Sequence, residues 1–139
     1  MKYDIGTREV AVIAFLIVMA AFGTSVVFFL SHSQEITEVR MHLKVSNYTG
    51  FNLDTDALYF GTISPGGSGT RELNLVNGEG EKRTMVFLIG ELGKWVYPAE
   101  NNFIIGKNSN RSLKFTVVVP QDAEFGEYEG TVRLVFTPV

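Results

Sequence analysis

Oxygen-bearing side chains recur at every second position in one short segment, where Asn52, Asp54 and Asp56 alternate with Leu53 and Thr55. Carboxylate and amide oxygens are the ligands that a hard cation such as Ca²⁺ takes in proteins. The segment lacks the glycine and the later glutamate of a calcium-binding loop. We therefore interpret it as a solvated loop in front of a strand.

Two other segments are rich in glycine. Residues 64–70 read SPGGSGT, and residues 77–81 read NGEGE. A phosphate-binding loop needs a lysine after its glycines and a helix after the lysine, and the first segment has neither. We interpret it as a loop, and we interpret the acidic second segment as the tip of a hairpin.

Side chains that commonly carry catalysis are scarce. The chain has no cysteine, which excludes disulfides, thiolate nucleophiles and zinc sites that use cysteine. Its two histidines, His32 and His42, have no nucleophile at a catalytic spacing and no nucleophile-elbow motif beside them. We expect His32 at a membrane interface and His42 on the outward face of a strand. The sequence thus predicts a protein that is not an enzyme, with no cofactor, no metal site and no small-molecule substrate.

Two sequons could accept N-linked glycans, one at Asn47 (Asn-Tyr-Thr) and one at Asn110 (Asn-Arg-Ser). Such triplets also arise by chance, so each remains a candidate site. The net charge of -3 and the lack of a basic cluster exclude nucleic acid as an expected partner.

These residues belong to two regions of different hydropathy. Residues 10–30 contain no charged side chain, and a helix of that length spans about 30 Å, the thickness of the hydrocarbon core of a bilayer. We predict a transmembrane signal anchor over residues 10–31, in contact with lipid, after a short cytoplasmic N-terminus of residues 1–9. Thr24 and Ser25 are tolerable there because their hydroxyls can bond to a helical carbonyl.

Two alternatives to the anchor remain open. A cleavable signal peptide could end at the small residues Ala21-Phe22-Gly23, although the apolar run continues beyond them. A pilin-type precursor could be cut near Gly6, which would leave the apolar helix as an assembly stem. The short flank with Lys2 and Arg8 favours a cytoplasmic N-terminus, so we expect residues 32–139 to lie outside the cytoplasm at the cell membrane.

The rest of the chain alternates apolar and polar residues with the period of a strand that has one buried face. Glycine, proline and asparagine separate the runs. Seven to eight such strands in about 100 residues predict an all-β, immunoglobulin-like β-sandwich over residues 32–139. The strand order cannot be derived from the sequence. The predicted strands are 36–47, 57–63, 70–77, 84–89, 94–97, 102–105, 111–120 and 128–139.

Several of these segments together resemble an immunoglobulin-like module of prokaryotic, archaeal-type surface proteins. The resemblance covers about residues 50–139 and extends more distantly to the major-sperm-protein and ASPM/Hydin-type sandwiches. It implies the fold and a membrane-anchored surface location, but no particular activity. The segments that carry it are Leu58–Ile63, Pro65-Gly66, Arg71–Leu75, Asn77, Lys94–Val96, Phe103, Val119-Pro120 and Phe125–Gly130.

A structural or interaction role follows as the leading hypothesis. We expect an accessory subunit of a cell-surface or membrane complex that binds other proteins by strand addition or through its loops. A pilin-like subunit, or one associated with the archaeal motility filament or its stator, is the first alternative. A carbohydrate-binding surface module is the second, and it would need exposed aromatic side chains, for which the candidates are Tyr48, Phe51, Tyr59 and Tyr97. We expect Trp95, the only tryptophan, to fill the core.

Overall fold

The computed structural model of the protein describes residues 6–31, 34–47 and 57–139. Its contacts divide the chain into two compact units, with the boundary between Ser33 and Gln34. One unit contains the N-terminal helix and the other contains the β-strands. The aspartate-rich segment 52–56, Tyr48, Phe51 and His32 lie outside the described residues.

The N-terminal unit is one long apolar helix, α1 (Thr7–Ser31), which begins three residues before the predicted segment. Its apolar side chains lie on all sides, and every described side chain from Gly6 to Phe29 is exposed. A helix that is apolar all round belongs in a membrane or a protein core, not in water. By length and composition α1 can cross a membrane, a property that N-terminal signal sequences share.

Two hydroxyls inside α1 are satisfied by the helix itself. Thr24 Oγ1 donates to the carbonyls of Ala20 and Ala21, at 3.1 and 2.9 Å. Ser25 Oγ donates to the Ala21 carbonyl at 2.9 Å. The predicted bonding of these hydroxyls to helical carbonyls is confirmed, and it removes the cost of placing them in an apolar environment.

The second unit is all-β, as predicted, with eight strands in the described residues and one short 3₁₀ turn, η1 (Leu92–Lys94). The strands form two sheets. Sheet A has the order β2-β1-β8-β4-β6, and sheet B has the order β3-β7-β5. The strands are β1 (Glu35–Val45), β2 (Leu58–Ile63), β3 (Ser68–Asn77), β4 (Lys82–Gly90), β5 (Val96–Pro98), β6 (Phe103–Ile105), β7 (Ser109–Val118) and β8 (Gly126–Pro138).

The connections differ from simple hairpins in two places. Strands β1 and β2 are neighbours in sequence but pair in parallel. Strands β3 and β4 belong to different sheets, because β3 pairs with β7 and β4 pairs with β8 and β6. The prediction of a hairpin tip over residues 77–81 is therefore wrong. A short connection rich in glycine suits a hairpin and a crossing between two sheets equally well.

The core lies between the two sheets and is built from the alternating apolar positions. Strand β7 contributes Leu113, Phe115 and Val117, all of which are almost fully buried. The inward residues of β1 and β8 in sheet A join them in one cluster. The predicted inward positions are confirmed, since one face of each strand must be removed from water. The cluster also contains Met41, Leu43, Val45, Phe60, Val132 and Leu134.

Trp95 and Tyr128 close one corner of this core. Their rings lie 4.5 Å apart, and both side chains are half-buried against the core cluster. The Tyr128 hydroxyl donates to the carbonyl of Glu124 at 2.9 Å and ties the preceding loop to the start of β8. Trp95 packs at the edge of the core and is not a fully buried plug.

Gly130 allows a close approach beside this corner. A methyl group at its Cα would lie 2.8 Å from the carbonyl oxygen of Ile89 and 2.9 Å from the side chain of Met41. Gly90, opposite Gly130 on β4, has a φ of +92°, which favours glycine. The paired glycines let η1 pack over the end of sheet A, where Leu92 is fully buried.

Candidate interaction surface

The outward face of sheet A carries a ladder of charged side chains across β1 and β8. In register, Glu38 lies opposite Arg133, His42 opposite Glu129, and Lys44 opposite Glu127. Arg133 Nε donates to Glu38 Oε1 at 2.9 Å, and His42 Nε2 lies 3.8 Å from Glu127 Oε2. Cross-strand pairs of opposite charge stabilise a sheet modestly.

Arg40 is the exception in this ladder. It lies opposite Thr131 and forms no ion pair with any residue of the described part of the chain. It lines an open cleft of about 350 Å³ together with His42, Tyr59 and Glu129. The rings of His42 and Tyr59 are 5.7 Å apart and tilted. The predicted outward position of His42 is confirmed.

This cleft does not unite the aromatic side chains predicted for carbohydrate binding. Tyr59 lies on sheet A, whereas Tyr97 points outward from β5 on sheet B. These two rings therefore cannot form one stacking platform. Tyr48 and Phe51 lie outside the described residues. In the described part of the chain, no three His, Asp or Glu side chains are grouped as metal ligands would be.

A second hollow, of about 250 Å³, already contains a cation of the protein. Lys82 Nζ lies 2.7 Å from Glu35 Oε2 and 3.5 Å from Glu79 Oε2. The hydrogen bond to Glu35 raises the pKa of Lys82 above its ordinary value. Its ammonium group links the start of β1 to the connection between β3 and β4, and it occupies the place that a ligand cation would take.

The two predicted glycosylation sites are both accessible. Asn47 is exposed just after β1, and the remaining residues of its sequon lie outside the described residues. Asn110 is exposed on β7 opposite Val76, and Ser112 of its sequon donates to Glu72 Oε2 at 2.7 Å. Accessibility is necessary for glycosylation, and the use of both sites stays a prediction.

Another part of the outward face of sheet A is apolar. We call it the sheet A patch, and it consists of Ile36, Met85, Phe87, Ile89 and Val135. Ile36 and Met85 flank Val135 in register on either side, and Val135 is shielded although it is outside the core cluster. Ile36 is 56% exposed and Phe87 is 48% exposed. A contiguous apolar patch on the order of 400 Å² often marks a binding site.

Sheet B presents a different outward face. Its central positions are polar, with a hydrogen bond of 3.2 Å between the hydroxyls of Thr70 and Thr116 and a pair between Glu72 and Lys114 at 3.4 Å. The exposed Val76 and Val118 lie at opposite ends of the sheet. Isolated apolar residues of this kind are ordinary on a protein surface. The two faces of the domain are therefore chemically distinct.

Side chains form hydrogen bonds with main-chain groups along both borders of sheet A. The Asn101 amide accepts from Val86 N at 2.8 Å and donates to Val86 O at 3.0 Å, which imitates one step of a neighbouring strand. Arg111 Nη1 donates to Ile104 O of β6 at 3.3 Å. On the other border, Arg71 Nε donates to Tyr59 O of β2 at 2.7 Å. These contacts oppose strand addition to sheet A, because an added strand would have to displace them.

The sheet A patch was not predicted, although the sequence contains a signal for it. Residues Met85–Ile89 form an uninterrupted apolar run, unlike the alternating runs elsewhere in the domain. A continuous apolar run indicates a strand covered on both faces. Within the described residues of the β-unit, the outer face of β4 stays uncovered at Phe87 and Ile89, which are both exposed.

Comparison of the chain with protein-family models, with curated proteins and with solved structures gives no significant match. The resemblance to an immunoglobulin-like surface module therefore stays a prediction. The function must be argued from the two-sheet unit, its apolar face and the N-terminal helix.

Proposed function

We propose that this chain is a non-catalytic interaction module, held at the cell membrane by α1, whose immunoglobulin-like β-sandwich lies outside the cytoplasm. The single observation that carries the proposal is the sheet A patch on a domain that follows a long apolar helix. Burying such a patch is favourable by roughly 25 cal/mol per Å². If the chain is an accessory subunit of a cell-surface or membrane complex, another protein of that complex is the partner that buries the patch.

The exposed surface of α1 supports its proposed role as a membrane anchor. All its described side chains are exposed within its own unit, so their apolar area must be removed from water by lipid or by other helices. A cleaved signal sequence is the competing interpretation. A retained helix predicts that the protein stays in the membrane pellet after alkaline carbonate extraction and that its intact mass begins at Met1 or Lys2.

A direct test of the interaction uses the native complex. Phe87→Ser and Ile89→Ser remove apolar area from the outward face without touching the core, so the variants should fold. We expect them to reduce the size of the native membrane complex on a blue-native gel. Thr116→Ser, on the outward face of sheet B, is the matched control and should leave the size unchanged. An unchanged complex in all three variants would contradict the proposal.

The pilin-like alternative has one observation in its favour. Helix α1 begins at Thr7, immediately after Gly6, where a pilin-type precursor would be cut. The same mass measurement separates the two functions. A mature chain that begins at Thr7 would replace the anchored module with a subunit that assembles through its helix.

A further inference from the structure

The outward face of sheet A carries a pattern that is complementary to itself. Two adjacent rows cross β1, β8 and β4 in register. One row contains Glu38, Arg133 and Phe87, and the next contains Arg40, Thr131 and Ile89. Each row therefore has a charge on β1 and an apolar side chain on β4, and the charges of the two rows are opposite.

We propose that this face binds the same face of a second copy of the chain, an inference that rests on the proposed interaction function and names its partner. In a two-fold interface, residue i contacts residue j and residue j contacts residue i. When two copies face each other, a two-fold axis can lie midway between the two facing sheets, parallel to the two rows and between them. This axis places Glu38 against Arg40 of the second copy. The same axis places Phe87 against Ile89 of the second copy.

The charged side chains of these rows favour this arrangement. Arg40 has no ion-pair partner within residues 34–47 and 57–139, and the facing Glu38 supplies one on each side of the axis. Glu38 has two carboxylate oxygens and can keep its contact with Arg133. Glu38 of each copy would then contact two arginines, Arg133 of its own chain and Arg40 of the second copy.

The proposed contact has an apolar part and a charged part. Along the axis, Phe87 and Ile89 of the two copies supply the apolar part, and the pairs of Glu38 with Arg40 supply the charged part. Side chains already form hydrogen bonds with main-chain groups at both borders of sheet A. A second copy would therefore bind to the outward face of this sheet and not to its edges.

The first experiment cross-links single cysteines in the full-length chain, purified in detergent. The native sequence has no cysteine, so Phe87→Cys introduces a unique thiol. Facing sheets pack about 10 Å apart, and a bismaleimide of about that length should join two copies. Thr70→Cys, exposed on sheet B, is the control. A yield for Phe87→Cys no greater than for Thr70→Cys would overturn the proposal.

The second experiment separates this face from association through α1. Glu38→Arg and Arg40→Glu each place like charges against one another in a dimer, so each variant alone should self-associate about tenfold or more weakly than the native chain. A mixture of the two variants restores opposite charges at both contacts. We expect the mixture to regain nearly native association by sedimentation or mass photometry.

These experiments distinguish failure of the self-pairing from failure of the interaction function. Single variants that associate as tightly as the native chain, or a mixture that gains nothing over them, would overturn the self-pairing. A purified native chain that stays monomeric would also overturn it. If that monomer forms a native complex that Phe87→Ser makes smaller, the interaction function stands and its partner is another protein.

Discussion

Asn77 and Thr84 are the two buried polar side chains of the described β-domain, and they differ in their hydrogen bonds. Asn77 Nδ2 donates to the carbonyls of Gly80, Ile105 and Gly106, and its Oδ1 accepts from the Glu79 amide. Thr84 Oγ1 is buried without a partner in the described part of the chain. A buried polar group without a partner costs stability, whereas a satisfied one fixes the loops that it joins.

Thr84→Val should therefore stabilise the protein by about 1 kcal/mol, since valine has the same shape without the hydroxyl. Urea unfolding, followed by the fluorescence of Trp95, measures the free energy of unfolding. Thr116→Val is the control, because that hydroxyl lies on the outward face, and it should change the free energy by less than about 0.5 kcal/mol. A loss of stability in Thr84→Val would contradict the prediction.

The surroundings of Glu72 lower the pKa of its carboxyl group below the ordinary value. A hydrogen bond from Ser112, and then the contacts with Lys114, lower the pKa of this carboxyl group. A carboxyl whose pKa is lower in the folded state contributes stability above its unfolded pKa, and this contribution is lost as the pH falls through the folded pKa. Ser112→Ala should raise the pKa of Glu72 in an NMR titration, and Ser68→Ala, on the same outward face, should not. Equal values in the two variants would show that the hydroxyl has no such effect.

At the scale of the elements, the alternation of apolar residues predicted the strands well because it depends only on neighbours in sequence. The order of the strands could not be predicted, since β1 pairs with β8, which is about 90 residues away, and in parallel with β2. The sheet A patch was also missed because it depends on how distant segments pack. An apolar run in β4 indicates two covered faces but does not say what covers the second one.

Asn101 tests how the border of β4 is protected. Asn101→Ala removes both hydrogen bonds to the main chain of Val86 and leaves an open strand edge. We expect a loss of about 1 kcal/mol in the free energy of unfolding and faster aggregation on heating. Light scattering during a thermal ramp measures the second effect. Asn74→Ala, an exposed asparagine on sheet B, should behave like the native chain, and so should Asn101→Ala if the edge needs no protection.

At the scale of the whole molecule, the chain consists of an apolar helix unit and a β-unit with its own continuous core. Among the described residues, none before Val39 belongs to the core or packs against it, and Val39 lies on β1. Hydropathy alone predicted two regions, because residues 10–30 carry no charge and the later residues alternate between apolar and polar. Because the β-unit has a core of its own, we expect its fold not to depend on the helix unit.

A fragment of residues 34–139 should therefore fold alone as a water-soluble protein. Its melting temperature, measured by circular dichroism, should lie within about 3 °C of that of the β-domain in the full chain, a difference that corresponds to less than 1 kcal/mol. A fragment of residues 46–139 also lacks β1 and should be unfolded. An unfolded 34–139 fragment would show that α1 contributes to the stability of the β-domain.

The pairing of β1 with β8 along all eleven residues of β1 has a consequence for synthesis. Strand β8 is the last strand of the β-domain, so β1 lacks this neighbour until the whole domain has been synthesised, since contacts between distant segments form only when both are present. In the proposed membrane-anchored protein, this delay would keep the β-domain extended while it is exported.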